Sequence, residues 1–185
     1  MRRSVHGLSH YRLLTTDMGL LTPLTAVEVL PGDTFRHRVS ALIRVSPLLA
    51  PVMHPVDVRI HSFFCANRFL WDGGADDNWE DFITGSDAAV ANYPTITRSG
   101  TTKGGVDDYM GVPPVNNLEI GALPIRAYNK IYNEYYRDQD LVTEVAEDSL
   151  TVQKIAWEKD YFTSARPWAV KGTAVDVPLG TKARV

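Results

Sequence analysis

Residues 34–46 alternate in period two, and no other stretch limits the fold as much. Phe35, His37, Val39, Ala41, Ile43 and Val45 fall on one side, and Arg36, Arg38, Ser40, Leu42 and Arg44 on the other. Only an extended strand separates side chains in this way. The arginine side must meet solvent, a neighbouring subunit or phosphate. Residues 47–55, PLLAPVMHP, follow with three prolines. Neither a helix nor a central strand tolerates that spacing, so a rigid extended connector is expected. Residues 56–71 then read as a second long strand, with Phe63 breaking the polar side. A shorter strand is expected over 24–31, closed by the turn dipeptide Pro31-Gly32.

The remaining chain is less regular. Residues 1–23 have no sustained period and read as an N-terminal arm ahead of a single domain over 24–185. Residues 72–85 suggest a loop and a short helix, with Trp79, Phe82 and Ile83 on one stripe. Residues 86–123 hold five glycines and three prolines without periodicity. A span of this kind is expected to be an insertion that drapes over neighbours. The best helix is 124–137, PIRAYNKIYNEYYR, which carries Pro124 at its first position and four of the eight tyrosines. Tyr128, Tyr132, Tyr135 and Tyr136 share its apolar stripe. They suit first a core face with hydroxyls reaching polar partners, and second a face shared with another subunit. Residues 150–157 suggest a last strand, followed by a turn at 158–160 and an extended tail.

Composition excludes several classes. The 185 residues carry a formal net charge of −3, 22% charged and 44% apolar residues, an ordinary globular balance. No apolar run approaches the roughly 18 residues of a membrane span. The basic N-terminus lacks the apolar stretch of a signal peptide, so secretion is not expected. A single cysteine, Cys65, forbids an internal disulfide or a multi-cysteine zinc site. Charge is segregated: residues 1–45 hold six bases and three acids, residues 133–160 eight acids and three bases, and residues 161–185 four bases and one acid. The basic ends and acidic middle could meet in neighbouring copies, or the ends could face an anionic partner.

Catalytic signatures are missing. No GxGxxG, phosphate loop, HExxH or GxSxG occurs. His6 and His10 have helical metal spacing without a nearby acid. Asp72, Asp76 and Asp77 miss a calcium-loop spacing. Cys65 sits among aromatics and reads as an inert thiol. His37 and His61 could face one another across two strands, as in a cupin-type enzyme, but no carboxylate pattern accompanies them. The residues therefore indicate a mostly-β, interaction-rich protein, with no enzyme activity and no cofactor.

Taken in order, several blocks are more specific. EVLPGDTF at 28–35 resembles a hallmark of the major capsid protein of microviruses, the small single-stranded DNA phages, especially the gokushovirus-like branch. The resemblance continues through 47–74, through NWEDFITG at 78–85, and through LPIRAYNKIYNEYYRDQDL at 123–141. It resumes at KDYFTSARPW and KGTAVDVPLG. It implies a mainly-β viral jelly roll, an antiparallel β-sandwich with long loop insertions and a few helices. It also implies assembly of copies into a T=1 icosahedral shell around circular DNA, in a virion formed in the bacterial host cytoplasm. Members of this family are much longer, and the resemblance covers their N-terminal portion. The jelly roll is therefore expected to be incomplete here, leaving sheet edges and apolar surface uncovered.

On this reading, Arg2, Arg3, Arg12, Arg36, Arg38 and Arg44 are candidates for non-specific contact with the genome. Tyr128, Tyr132, Tyr135, Tyr136 and Trp168 are candidates for subunit interfaces. Other copies of the chain are the expected partners, with minor virion proteins and a host-surface receptor as further ones, and no membrane. The alternative is a β-sandwich module that binds a glycan or receptor, for which Trp71, Asp72 and Trp79 are the nearest set.

Overall fold

The computed structural model describes residues 13–34, 38–71, 93–100, 103–156 and 158–166. The chain divides into two units, Met1–Ile155 and Ala156–Val185. In the first, the described elements are α1 (Asn67–Leu70), β1 (Thr95–Thr97), α2 (Val106–Tyr109), β2 (Glu119–Gly121) and α3 (Leu123–Ile131). A π-helical turn, Tyr132–Tyr136, continues α3. The two strands pair antiparallel, with Ile96 opposite Ile120.

Helix α3 forms where its sequence places it. Pro124 lies in the first turn, where its missing N–H costs nothing. Leu123, Ile125 and Tyr128 are buried. They face two clusters. Leu123 packs on Leu70 and Trp71, with Cys65 and Ala127 alongside. Ile125 and Tyr128 pack on Val106, with Leu21, Ile96, Met110, Ile120, Leu150 and Val152 around them. The helix is thus the axis of the core.

Its polar side chains tie down the chain that follows. Asn129 is buried, and its Nδ2 donates to the Glu147 carbonyl at 2.7 Å and the Ser149 carbonyl at 2.9 Å. One turn on, the Asn133 side chain donates to the Val145 carbonyl and accepts from the Val145 amide. Arg126 forms a fork on Asp148, with contacts of 2.6 and 3.2 Å, and donates to the Leu70 carbonyl. The three residues lie at i, i+3 and i+7, so they share one helix face. Segment 145–149 therefore takes much of its hydrogen bonding from side chains rather than from a sheet.

The span 86–123 is expected to drape over neighbours. Its described residues, 93–100 and 103–123, build part of this chain's core. Arg98 and Asp107 are both buried and paired, Nε to Oδ2, at 2.7 Å. Arg98 also donates to the Pro113 carbonyl at 2.7 Å. Short elements and turns carry this packing, so no hydrophobic period marks it. Gly105 is required by close approach. A Cβ there would lie 2.4 Å from Asp107 Oδ1 and 3.0 Å from the Leu150 carbonyl. The Val106 amide uses that proximity to donate to the same carbonyl at 2.8 Å.

The expected strands differ from what forms. Residues 38–66 run without a ladder, and most of their side chains are exposed. No ladder forms over 24–31, although the expected turn is present and the Asp33 amide donates to the Leu30 carbonyl. The strand expected over 150–157 reduces to one antiparallel bridge between Leu20 and Lys154. Alternation permits a strand, but a strand also needs a partner, and 38–46 pairs with none of the described segments. The two-sheet sandwich is accordingly not formed among the described residues. The short helix expected within 72–85 lies outside them.

Arg98→Met should leave the Asp107 carboxylate buried without its counter-charge. Urea unfolding followed by circular dichroism should show a loss of about 3–5 kcal/mol. Adding Asp107→Leu should recover most of it, because the uncompensated charge is then gone.

Candidate subunit interface

The π-helical turn sorts the four tyrosines into two inner and two outer residues. The Arg137 amide donates to the Tyr132 carbonyl at 2.8 Å, a five-residue span. A turn of this width carries Tyr135 and Tyr136 off the stripe that α3 buries. Tyr128 and Tyr132 are 6% and 5% exposed, whereas Tyr135 is 67% exposed. The Tyr128 hydroxyl donates to the Leu21 carbonyl and accepts from the Gln153 amide, both at 2.8 Å. Tyr128 and Tyr132 are buried in this chain's own core, and the Tyr128 hydroxyl is already occupied there.

The outer pair meets the extended segment. Tyr136 stacks on His61, with centroids 5.9 Å apart, and its hydroxyl hydrogen-bonds His61 Nδ1. Tyr135 lies against Phe63 at 4.9 Å. Phe63, Phe64, Leu141 and Val142 are exposed on neighbouring parts of the chain. Aromatic rings with one face packed and another open are the usual anchors of protein interfaces. The apolar exposure continues along the extended segment, through Leu42, Val45, Leu49, Met53 and Val58. A run of this length is far beyond the scattered apolar residues of an ordinary surface.

Other expected site residues are placed as follows. Arg38 and Arg44 are exposed in the extended segment. Arg2, Arg3, Arg12, Arg36 and Trp168 lie outside the described residues. Trp71 is buried against Leu70 and Leu123, so it is lost to any sugar-binding surface. Asp72, Trp79, His6, His10 and His37 also lie outside the described residues. His61 is taken up by Tyr136. Cys65 is half-buried, and burial pushes its thiol pKa up, away from the reactive thiolate. Among the described residues, no group of three His, Cys, Asp or Glu side chains gathers to hold a metal. None of the described helices is long and apolar enough to cross a membrane.

The sequence reading missed Arg98, Asp107, Arg126, Asn129 and Asn133. The last three were legible in principle, since their spacing puts three polar residues on one face of an otherwise apolar helix. The ion pair had no such signal.

The amino-acid sequence matches known proteins along its whole length. The capsid protein (F protein) family matches the whole chain, residues 1–185. The chain belongs to that phage capsid family. It is 39% identical to capsid protein VP1 of Bdellovibrio phage phiMH2K, over 89% of this chain and 33% of that protein. It is 37% identical to capsid protein VP1 of Chlamydia phage 1, over 97% of this chain and 35% of that protein. Capsid protein F of Escherichia phage G4 is 27% identical over 73% of the chain. The chain spans about a third of the length of these curated relatives.

Burial raises the Tyr128 pKa to about 12, with the Gln153 amide opposing and Tyr132 adding to the rise. The folded state thus holds this hydroxyl protonated, while the unfolded chain releases its proton near 10. The stability from this group is complete below pH 10 and is lost as pH climbs from about 10 to 12. Tyr128→Phe should be less stable at pH 7, having lost both hydrogen bonds. It should also lose stability less steeply above pH 10, as read from thermal melts across pH.

Proposed function

We propose that the chain is part of a major capsid subunit that self-assembles into a T=1 icosahedral shell around a circular single-stranded DNA phage genome. The match of the capsid family along all 185 residues carries this reading. The role is structural rather than catalytic. The subunit resides in the virion, and the shell forms in the bacterial host cytoplasm. Minor virion proteins and a host-surface receptor would meet the finished shell.

The exposed extended segment supports the mechanism. In the assembled subunit, 38–46 and 56–66 act as strands of a jelly roll, paired with chain outside the residues described. Their alternation is suited to a ladder, and pairing would cover Val39, Ile43, Val45, Val56, Val58 and Ile60 together. The arginine side of the first strand, with Arg36, Arg38 and Arg44, joins Arg2, Arg3 and Arg12 in neutralising genome phosphates. Tyr135, Tyr136 and Trp168 dock on neighbouring copies, where burial of aromatics supplies binding energy and rim charges set register.

A relative-length subunit carrying this segment should purify as closed spherical particles of one small diameter in electron micrographs. A subunit that remains a folded monomer at high concentration would defeat the proposal. Phe63→Ser combined with Tyr135→Ser should reduce particle yield at least severalfold. The pair is exposed, so the melting profile of the unassembled subunit should move by no more than about 0.5 kcal/mol per site.

A further inference from the structure

We propose that Tyr161 and Phe162 form a stacking site for the bases of single-stranded DNA. The inference rests on the capsid reading above and assigns it a contact that the arginines alone cannot make. The two rings are 87% and 84% exposed, more fully than the aromatics of the core axis. They meet edge to face, with centroids 5.7 Å apart and planes at 85°. That arrangement leaves open π faces pointing in two directions.

The turn beneath them is held firmly. Asp160 Oδ1 accepts from the Phe162 amide at 3.0 Å, the Thr163 amide at 2.7 Å and the Thr163 hydroxyl at 2.9 Å. The Ser164 amide closes on the Asp160 carbonyl at 3.0 Å. These bonds to the ionised form hold the Asp160 carboxyl below its ordinary pKa, so the clasp is intact at neutral pH. The aromatics are therefore presented in a fixed pose, which lowers the ordering cost of binding.

The surroundings select the ligand. Protein hot spots sit in well-packed pockets whose surrounding contacts exclude water. Here the flanking sequence holds Lys159, Asp160, Thr163, Ser164 and Arg166. Exposed aromatic faces with cations in the same segment suit single-stranded nucleic acid, which stacks its bases and places its phosphates near lysine and arginine. Residues 159–185 hold five bases against two acids, which adds a non-specific attraction. Stacking of this kind tolerates any base, as a packaged genome requires.

The test uses the full chain and a fluorescently labelled oligothymidylate, with binding read by anisotropy at fixed salt. Tyr161→Ala and Phe162→Ala should each weaken binding by roughly tenfold. Phe162→Trp should restore or exceed the original affinity, because a larger ring stacks better. The salt slope should stay unchanged in all three variants, since no phosphate contact is removed. Unchanged affinity in the alanine variants would overturn the site. So would alanine variants that bind DNA normally but stop particle formation, which would assign the rings to a neighbouring copy. Particle formation is scored separately in relative-length subunits by electron microscopy. A parent subunit that forms no particles defeats the capsid reading instead.

Discussion

The buried amide of Asn129 organises the first unit. It reaches two carbonyls of segment 145–149 from the centre of α3, and no apolar residue could replace it there. A buried carbonyl left without a donor costs about 1–3 kcal/mol, so the segment has a strong preference for this register. Asn133 fixes the neighbouring residue and Arg126 the aspartate between. With 145–149 in place, Leu150 and Val152 reach the cluster around Val106 and Ile125. The Tyr128 hydroxyl then links Gln153 to Leu21, which brings an early segment to the same core. Hydrophobic burial supplies the drive, but polar groups on one helix decide which chain segments share in it.

The same helix explains what was legible in the sequence. Its Pro124 start and the buried stripe through Ile125, Tyr128 and Tyr132 follow from local chemistry, and they appear as read. Its π-helical end does not, because the difference between a four- and a five-residue turn is settled by what the tyrosines meet. Tyr128 and Tyr132 are buried, with the Tyr128 hydroxyl bonded inside, while Tyr135 and Tyr136 find Phe63 and His61. One stripe in the sequence thus becomes two faces. The Arg98–Asp107 pair was illegible for another reason. Two charged residues in a glycine-rich span resemble ordinary surface, and only their mutual neutralisation permits burial. The strands expected over 34–46 and 56–71 form no ladder among the described residues. Alternation reports what a segment could pair with, not that a partner is beside it.

That distinction bears on how a capsid segment is built. The described core is small, centred on Val106, Ile125 and Tyr128 on one side of α3 and on Leu70, Trp71 and Leu123 on the other. The large apolar side chains of 39–64 contribute little to it and stand in solvent. A monomer would gain by folding them inward. Prolines 47, 51 and 55 oppose this by keeping the connector extended, and the arginines of 36–44 oppose it by resisting burial. The segment is therefore held extended.

His61 and Phe63 show where that openness ends. They are the residues at which the extended segment touches the folded core, through Tyr136 and Tyr135, just before α1 enters the cluster of Leu70 and Trp71. The contact is aromatic and partly exposed, so it orients the segment without burying it. A fully buried anchor would fix the arm but hide the rings from a partner. A fully solvated one would leave the arm's direction undefined and raise the entropic cost of every contact made later. An exposed aromatic hinge lies between these limits. It lets a small, polar-tied core orient a long apolar segment, which is the geometry a subunit needs if its sheet is to be completed by other chain.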